Sequence, residues 1–425
     1  MKKIYKVALL ASLAVIITAC GVIKNELSQS LPDENLNISS INNEFSDDIE
    51  FDEVLVDDEY YKKYPDHNLA NELFMTFQKS AFQDFNYQPK EDVSAQGFFD
   101  FLKKKATIDI YEPYSTTNNI KLTGRVYKKR NISPEQIKDS KFKNIIRTIK
   151  YYVPDPIEDV QVNVNVNGVT KQAKTDKKGF FSLDLSGVNI KQGVNSLKAN
   201  LVTAKYKFDD LTQEYVSDKA DTDSISIISD IDDTVKYTGV NHKIEMIKNV
   251  ITGNSKTDKP YAGVSSLYKS ILNGPKSSGV ECMHYVSGSP AQLYRRIHDF
   301  FEFQKFPEGS IDLKINDTKL EEKSDDTYEY KVTRIRKIMK TYPNKKFFCF
   351  GDTTQKDTEV YVTIKKEFPD RVLGIYINNV NKFDANAPRF KEVKLTNTAS
   401  EAAKDLLEQG YITQESYNKV FSEAG

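Results

Sequence analysis

Tryptophan is absent from the 425 residues, and cysteine occurs three times only, at Cys20, Cys282 and Cys349. So few thiols exclude a disulfide scaffold. The missing tryptophan, beside abundant Lys, Asn and Ile, reads as a compositional bias and not as a functional signature. An excess of either charge is lacking too. Sixty Lys and Arg stand against 61 Asp and Glu, a formal net charge of -1. That balance gives no reason to expect a nucleic-acid partner or an electrostatic membrane patch. The amino-terminal apolar run, Val7 to Ile17, is too short for a comfortable transmembrane helix, which needs about 20 residues. What the chain does have is length: 425 residues predict two or three domains.

Lys2, Lys3 and Lys6 precede that apolar run, which ends in "ITAC" with small residues just before Cys20. Basic, apolar and small-residue regions in this order are a targeting segment. The end of it resembles the lipobox of bacterial lipoproteins. The resemblance implies cleavage before Cys20, lipid chains on its thiol, and a place in the cell envelope, anchored to a membrane on its outer face or periplasmic side. At about 0.8 kcal/mol per buried methylene, several acyl chains amount to permanent attachment. Residues 21–58 are polar and acidic without periodicity and read as a flexible tether.

Residues 59–105 show a weak helical pattern, as in "NELFMTFQKSAFQDF". From 106 to 217 short alternating segments take over. In "VQVNVNV" every second residue is valine, so one face is buried and one is wet. Asn167-Gly168 is the preferred pair for a two-residue hairpin turn. "SPEQIKDSKFKNIIRTI" predicts one helix inside this region, with Ser133 as N-cap and Pro134 at the first position. The expectation is a small antiparallel β-sandwich with one helical insertion.

The pattern changes after Asp223. "SISIIS", "GVECMHYVS", "IDLKI", "NKKFFCFGD" and "DRVLGIYI" are apolar runs of strand length, and amphipathic runs such as "AQLYRRIHDFFEFQ" and "TYEYKVTRIRKIMKTY" lie between them. Strand and helix in alternation predict an α/β domain over 222–425, a parallel sheet covered on both faces. Ligands of such sheets bind beyond the carboxyl ends of the strands. Three expected carboxyl ends carry polar groups: "SDIDDT" with Asp230, Asp232 and Thr234; "YVSGSP" with Ser287 and Ser289; and "GDTTQKD" with Asp352 and Asp357. Lys331 opens the helix leading to the third of these strands. Clustered carboxylates repel one another and take up protons unless a divalent cation holds them ionised. Oxygen ligands with no His or Cys nearby point to Mg2+ over zinc.

D-x-D-x-T after an apolar strand, Ser after a second, a helix lysine and G-D-x4-D match, in order, the four motifs of the haloacid dehalogenase superfamily. More narrowly, "SDIDDTV", "YVSGSPAQLY", "FFEFQKFPEGSI" and "GDTTQKDTEVY" resemble the catalytic domain of actin-patch-protein-type phosphatidate phosphatases, relatives of the lipins. The resemblance spans about residues 222 to 410 and implies a Rossmannoid, haloacid dehalogenase-like domain. It implies Asp230 as nucleophile, Asp232 as acid then base, and Thr234 stiffening the motif loop. Ser287 and Lys331 would hold phosphate oxygens. Mg2+ would lie between Asp230, the backbone carbonyl of Asp232, and Asp352, with Asp357 in support. Four positions depart from the family: Thr353 and Thr354 stand where Ser and Gly are usual, Ala291 replaces an aromatic residue, and Asn378 replaces an arginine.

Other residues have plainer readings. His284, Cys282 and Cys349 fall within expected core strands and read as core residues, not ligands. "YVSGSP" lacks the glycine of a serine-hydrolase elbow, since Tyr285 stands there. The expected function is Mg2+-dependent hydrolysis of a phospholipid phosphomonoester at a membrane surface, phosphatidate to diacylglycerol and phosphate, through an aspartyl-phosphate. The alternatives are a phosphatase for another lipid or a soluble phosphomonoester, and a non-catalytic surface lipoprotein that binds a partner through its sandwich. No protein partner is inferable from the residues.

Overall fold

A computed structural model describes residues 105–424, except 112–113, 117, 130–131, 153–154, 204, 218–222, 239–251 and 316–326. The signal segment with Cys20, the tether at 21–58 and the helical stretch at 59–105, save Lys105, lie outside the described residues.

Alternation builds the first layer pair. One antiparallel sheet holds β1 (Ala106–Ile110), β3 (Asn119–Lys128) and β2 (Tyr114–Thr116), with β6 (Phe180–Ser186) on the other edge of β3. A second orders β5 (Val169–Lys174), β4 (Gln161–Val166), β7 (Gly193–Val202) and β8 (Leu211–Ser217). Val162, Val164 and Val166 point inward from β4 and meet Ile108, Ile120 and Leu122 of the facing sheet in one core. This is the expected sandwich. Asn167 and Gly168 both have positive φ, 47° and 90°, as a tight hairpin turn of the mirror-image type requires.

The helical insertion starts later than expected. The helix is α1 (Lys141–Tyr152), and residues 132–140 are irregular. Ser140, not Ser133, is its cap: its hydroxyl accepts from the Lys143 N–H at 3.3 Å. The Ser133 and Pro134 carbonyls instead accept from the Arg147 guanidinium, so that stretch folds back on the helix it was expected to begin.

Six parallel strands form the second layer, in the order β11 (Glu308–Lys314), β10 (Cys282–Pro290), β9 (Ile225–Ser229), β12 (Lys346–Asp352), β13 (Val372–Asn378) and β14 (Lys394–Thr396). The chain starts at β9 in the centre, builds outward on one side through β10 and β11, then crosses back to β12 on the other. The order reverses at β9, which makes its carboxyl end a topological switch point. β9 is buried at every residue, as a central parallel strand must be. The pleat divides β12 between two cores. Phe347 and Cys349 face α4 (Thr327–Thr341) and α5 (Asp357–Glu367). Phe348 and Phe350 turn the other way, against Tyr411 and against Tyr268 of α2 (Val264–Leu272). Helices therefore cover both faces.

Sandwich and parallel sheet pack within the compact unit Val93–Gly425. Arg295 of α3 (Tyr294–Phe303) pairs with Asp109 at 2.5 Å, the Tyr114 hydroxyl donates to Asp312, and the Cys282 thiol donates to the Val216 carbonyl. The insertion holds the segment that begins at Thr252: Asn144 donates to the Thr252 carbonyl and accepts from Asn254, and Glu135 accepts from the Ser255 N–H. His284, expected as a core residue, is 3% exposed, 2.8 Å from the Ser310 hydroxyl and packed on Tyr114, Tyr342 and Phe347. Cys282 and Cys349 are buried thiols. Among the described residues no helix is long and apolar enough to cross a membrane.

Candidate active site

β9 delivers Asp230 one residue past its last ladder position. The Asp230 N–H still donates to the Phe350 carbonyl of β12, at 2.9 Å, so its backbone is fixed by the sheet. The chain then turns sharply. Asp233 takes a left-handed conformation, φ 54°, tolerated by aspartate better than by most residues. Its carboxylate accepts the Thr238 N–H, and its carbonyl accepts from the Asn378 side chain at 2.8 Å. Asn378, at the end of β13 where the family carries arginine, thus braces the motif loop.

Asp230 is fully buried. Lys331 donates to its Oδ1 at 2.7 Å, and the Thr234 hydroxyl lies 3.4 Å from its Oδ2. The same ammonium donates to Asp357 Oδ1 at 2.5 Å. Asp357 opens α5, and its Oδ2 accepts the Asp352 N–H. Gly351 makes that approach possible, because a Cβ there would lie 2.6 Å from the Asp357 Cβ and 2.8 Å from the Tyr361 ring. Asp352 Oδ1 accepts from the amide and the hydroxyl of Thr354, which gives the departing motif "GDTTQ" a structural use. Asp352 Oδ2 is buried with no hydrogen-bond partner.

Asp230, Asp352 and Asp357 bring oxygens within 4.8 Å of one another, all three buried. Three carboxylates face one ammonium. Burial, above all, pushes Asp230 well above the usual carboxylate range; Asp357 and Asp232 add to the rise and Lys331 opposes it. Asp352 is raised likewise, by burial and then by Asp357 and Asp230. Burial works against the Lys331 charge, but Asp230, Asp357 and Asp352 outweigh it and hold the ammonium above the ordinary lysine range. This is a pocket short of positive charge, with one carboxylate oxygen bonded to nothing. Both features fit a divalent cation bound by hard oxygens.

Asp232 is turned elsewhere. Its Oδ2 accepts from Ser287 at 3.1 Å and Ser289 at 2.6 Å, both at the carboxyl end of β10. Its side chain is outside the three-carboxylate cluster. The Ser287 hydroxyl, expected on a phosphate oxygen, is here committed to Asp232 and also accepts the Ser289 N–H. Sequence reasoning placed Ser289 at this edge without a role, and it passed over Lys236, Asp258 and Arg296. Lys236 lies 3.8 Å from Asp232 Oδ1 and 3.7 Å from Asp258 Oδ2, and Arg296 forks onto Asp258 at 2.6 and 3.0 Å.

A buried carboxylate at a switch point, a second held by hydroxyls two residues on, and a lysine bridging to a third define an acidic site on an α/β sheet. Residues 225–379 match the family described as "Phosphatidate phosphatase APP1, catalytic domain". Every residue expected in the site, from Asp230 to Asp357, lies inside that match, and the resemblance to phosphatidate phosphatase catalytic domains holds over these residues. Phosphatidate phosphatase APP1 of Saccharomyces cerevisiae is 30% identical over 186 residues, 43% of this chain and 31% of that protein. An uncharacterized protein of Schizosaccharomyces pombe is 25% identical over 292 residues, 68% of this chain and 46% of that one. The chain therefore spans less than half the length of these curated relatives. Among solved structures, a beta-glycosidase from Bacteroides vulgatus aligns over 65% of this chain and 35% of its own, at 9% identity and a TM-score of 0.21, a likeness too slight to carry an argument.

Proposed function

We propose that this chain is a phosphatidate phosphatase with the haloacid dehalogenase-type arrangement, cleaving the phosphomonoester of phosphatidate to diacylglycerol and phosphate. The observation that carries the reading is the division between two carboxylates two residues apart: Asp230 against Lys331, Asp232 against Ser287 and Ser289. In the first step an Asp230 oxygen attacks phosphorus. The bond from phosphorus to the glycerol oxygen breaks, and that oxygen takes a proton from Asp232. In the second step the Asp232 carboxylate takes a proton from water as the water oxygen attacks the aspartyl-phosphate, freeing phosphate and Asp230. Lys331 stays charged throughout and neutralises negative charge beside the reacting phosphoryl group.

Asp230, Asp352 and the Asp232 carbonyl would hold Mg2+, with Asp357 fixing Lys331 and the Asp352 backbone. Bound there, the cation supplies charge neutralisation for the phosphoryl oxygens. The lipobox-like "ITAC" supports a lipid anchor at Cys20 that keeps the domain beside a bilayer.

The test is turnover by the purified full chain with Mg2+, on phosphatidate, lysophosphatidate and soluble phosphomonoesters, beside Asp230→Asn. Preferred turnover of phosphatidate, abolished in the variant, is expected. Preference for a soluble phosphomonoester would overturn the substrate, and Asp230→Asn activity within about tenfold of the parent would overturn the nucleophile.

A further inference from the structure

We propose that Lys236, held by Asp258 and Arg296, is a positioning residue for the acid/base carboxylate Asp232. The inference rests on the two-step reading above. Asp232 is constrained from two sides. Two hydroxyls occupy Oδ2, and the Lys236 ammonium stands 3.8 Å off Oδ1. Lys236 is 5% exposed; of its two carboxylate neighbours Asp232 is buried and Asp258 partly so. A lysine does not reach such a place without a reason, since burying an ammonium is costly unless it is paired.

The backbone explains how the pairing is imposed. The Tyr237 N–H donates to the Lys259 carbonyl and the Tyr261 N–H to the Val235 carbonyl, each at 2.9 Å. These two bonds lay segment 259–261 along segment 235–237, with Pro260 opposite Lys236, and leave Asp258 within 3.7 Å of the Lys236 ammonium. Asp258 is then fixed by the Arg296 fork, a geometry that specifies orientation as well as charge. Carboxylate, ammonium, carboxylate and guanidinium alternate in sign along the line, so the line as a whole carries no net charge into the interior. Arg296 and Ser289 belong to the same strand–helix unit, β10 and α3. Both restraints on Asp232, the hydroxyl and the ammonium, are therefore referred to one rigid element. Lys236 and Asp258 make no contact with Asp230, Asp352 or Asp357 among the described interactions, which separates this line from the cation-binding cluster.

Position matters most where Asp232 must deliver a proton in flight. An alkoxide leaves poorly and needs that proton; 2,4-dinitrophenolate leaves without it. Misplacing Asp232 therefore slows one class of substrate and spares the other, whereas a general loosening of the fold slows both.

The full chain is assayed with Mg2+ in single turnovers on dioctanoyl phosphatidate and on 2,4-dinitrophenyl phosphate, as parent, Lys236→Met, Lys236→Arg, Asp258→Asn and Asp232→Asn. Lys236→Met is expected to slow phosphoryl transfer from phosphatidate by about 10- to 100-fold, the usual cost of losing a group that orients a functional ligand. Transfer from dinitrophenyl phosphate should change by less than about threefold, since no proton is required there. Lys236→Arg should recover most of the loss, and Asp258→Asn should show the same split at smaller size. Should Lys236→Met fail to fold in a thermal melt, the Asp258→Asn split alone carries the test. Equal losses on both substrates, or none on either, overturn the inference. A split in Asp232→Asn without one in Lys236→Met or Asp258→Asn overturns it alone, leaving the acid/base role of Asp232 in place; no split in Asp232→Asn overturns both.

Discussion

Replacing Lys331 with Met separates the structural use of the buried ammonium from its chemical one. The side chain is 1% exposed and its Nζ bridges Asp230 and Asp357 at 2.7 and 2.5 Å. Methionine fills nearly the same volume, so packing is largely kept and the loss is electrostatic. Removing one partner of a buried ion pair costs about 3–5 kcal/mol, because the charge left behind has neither water nor a counterion. Here the remaining carboxylates are Asp230, Asp352 and Asp357, already crowded within 4.8 Å. For a folded unit of this size each kcal/mol moves the melting temperature by about 1–2 °C, so a fall of roughly 3–10 °C is expected in EDTA. Mg2+ should restore part of it, by replacing the missing positive charge. The opposite substitution fixes the sign: Asp230→Asn removes one of three clustered carboxylates, and in EDTA it should leave the melting temperature unchanged or raise it. Scanning calorimetry of the three proteins, with and without Mg2+, is the assay. A Lys331→Met protein that melts within about 2 °C of the parent in EDTA would refute the argument that the ammonium holds the cluster together.

Chelation should lower the parent's melting temperature, and Mg2+ at a hundredfold excess over its dissociation constant should return about 2.7 kcal/mol; no shift on adding Mg2+ would reject the cation site. Burial, and then Lys345, pushes His284 down to about 3 from an ordinary value of 6.5, so the folded state keeps it neutral while the unfolded chain protonates. Its contribution is full above pH 6.5 and is lost as pH falls toward 3, with a slope of about 1.4 kcal/mol per pH unit. His284→Phe should flatten urea-derived stability over that window, and an unaltered slope would remove His284 from the account. Cys20→Ser should release the protein from membranes while sparing hydrolysis of a short-chain soluble phosphatidate; continued fractionation with membranes would end the lipobox reading.

Much of the layout was legible because its signals are local. The valines of "VQVNVNV" alternate because one face of β4 is buried, and Asn167-Gly168 turns because both residues take positive φ. The runs "SISIIS" and "NKKFFCFGD" lack alternation because both faces of a central parallel strand are covered. Where competing local signals existed, the weaker reading was easy to prefer. Ser133-Pro134 is a good helix start in isolation, yet Arg147 needs the carbonyls of that segment, and Ser140 caps the helix instead. β14 is three residues long, which is too short to leave a pattern.

The site divides in the same way. Asp230, Asp232, Asp352 and Asp357 could be placed from sequence because each sits at, or one turn beyond, the carboxyl end of a strand, and the parallel topology brings those ends together. Lys236, Asp258 and Arg296 follow no such rule. Asp258 meets Lys236 through a pairing of two irregular segments, 235–237 and 259–261, and no propensity announces that pairing. Arg296 sits in a helix whose other basic residue, Arg295, goes to Asp109 of the sandwich; sequence alone offers two adjacent arginines and no means of assigning them. Their division has a physical consequence. Arg295 ties α3 to the sandwich, Arg296 ties it through Asp258 and Lys236 to Asp232, and the insertion holds the Asn254–Ser255 turn just before Asp258. The sandwich is thus tied through α3 to the frame around Asp232.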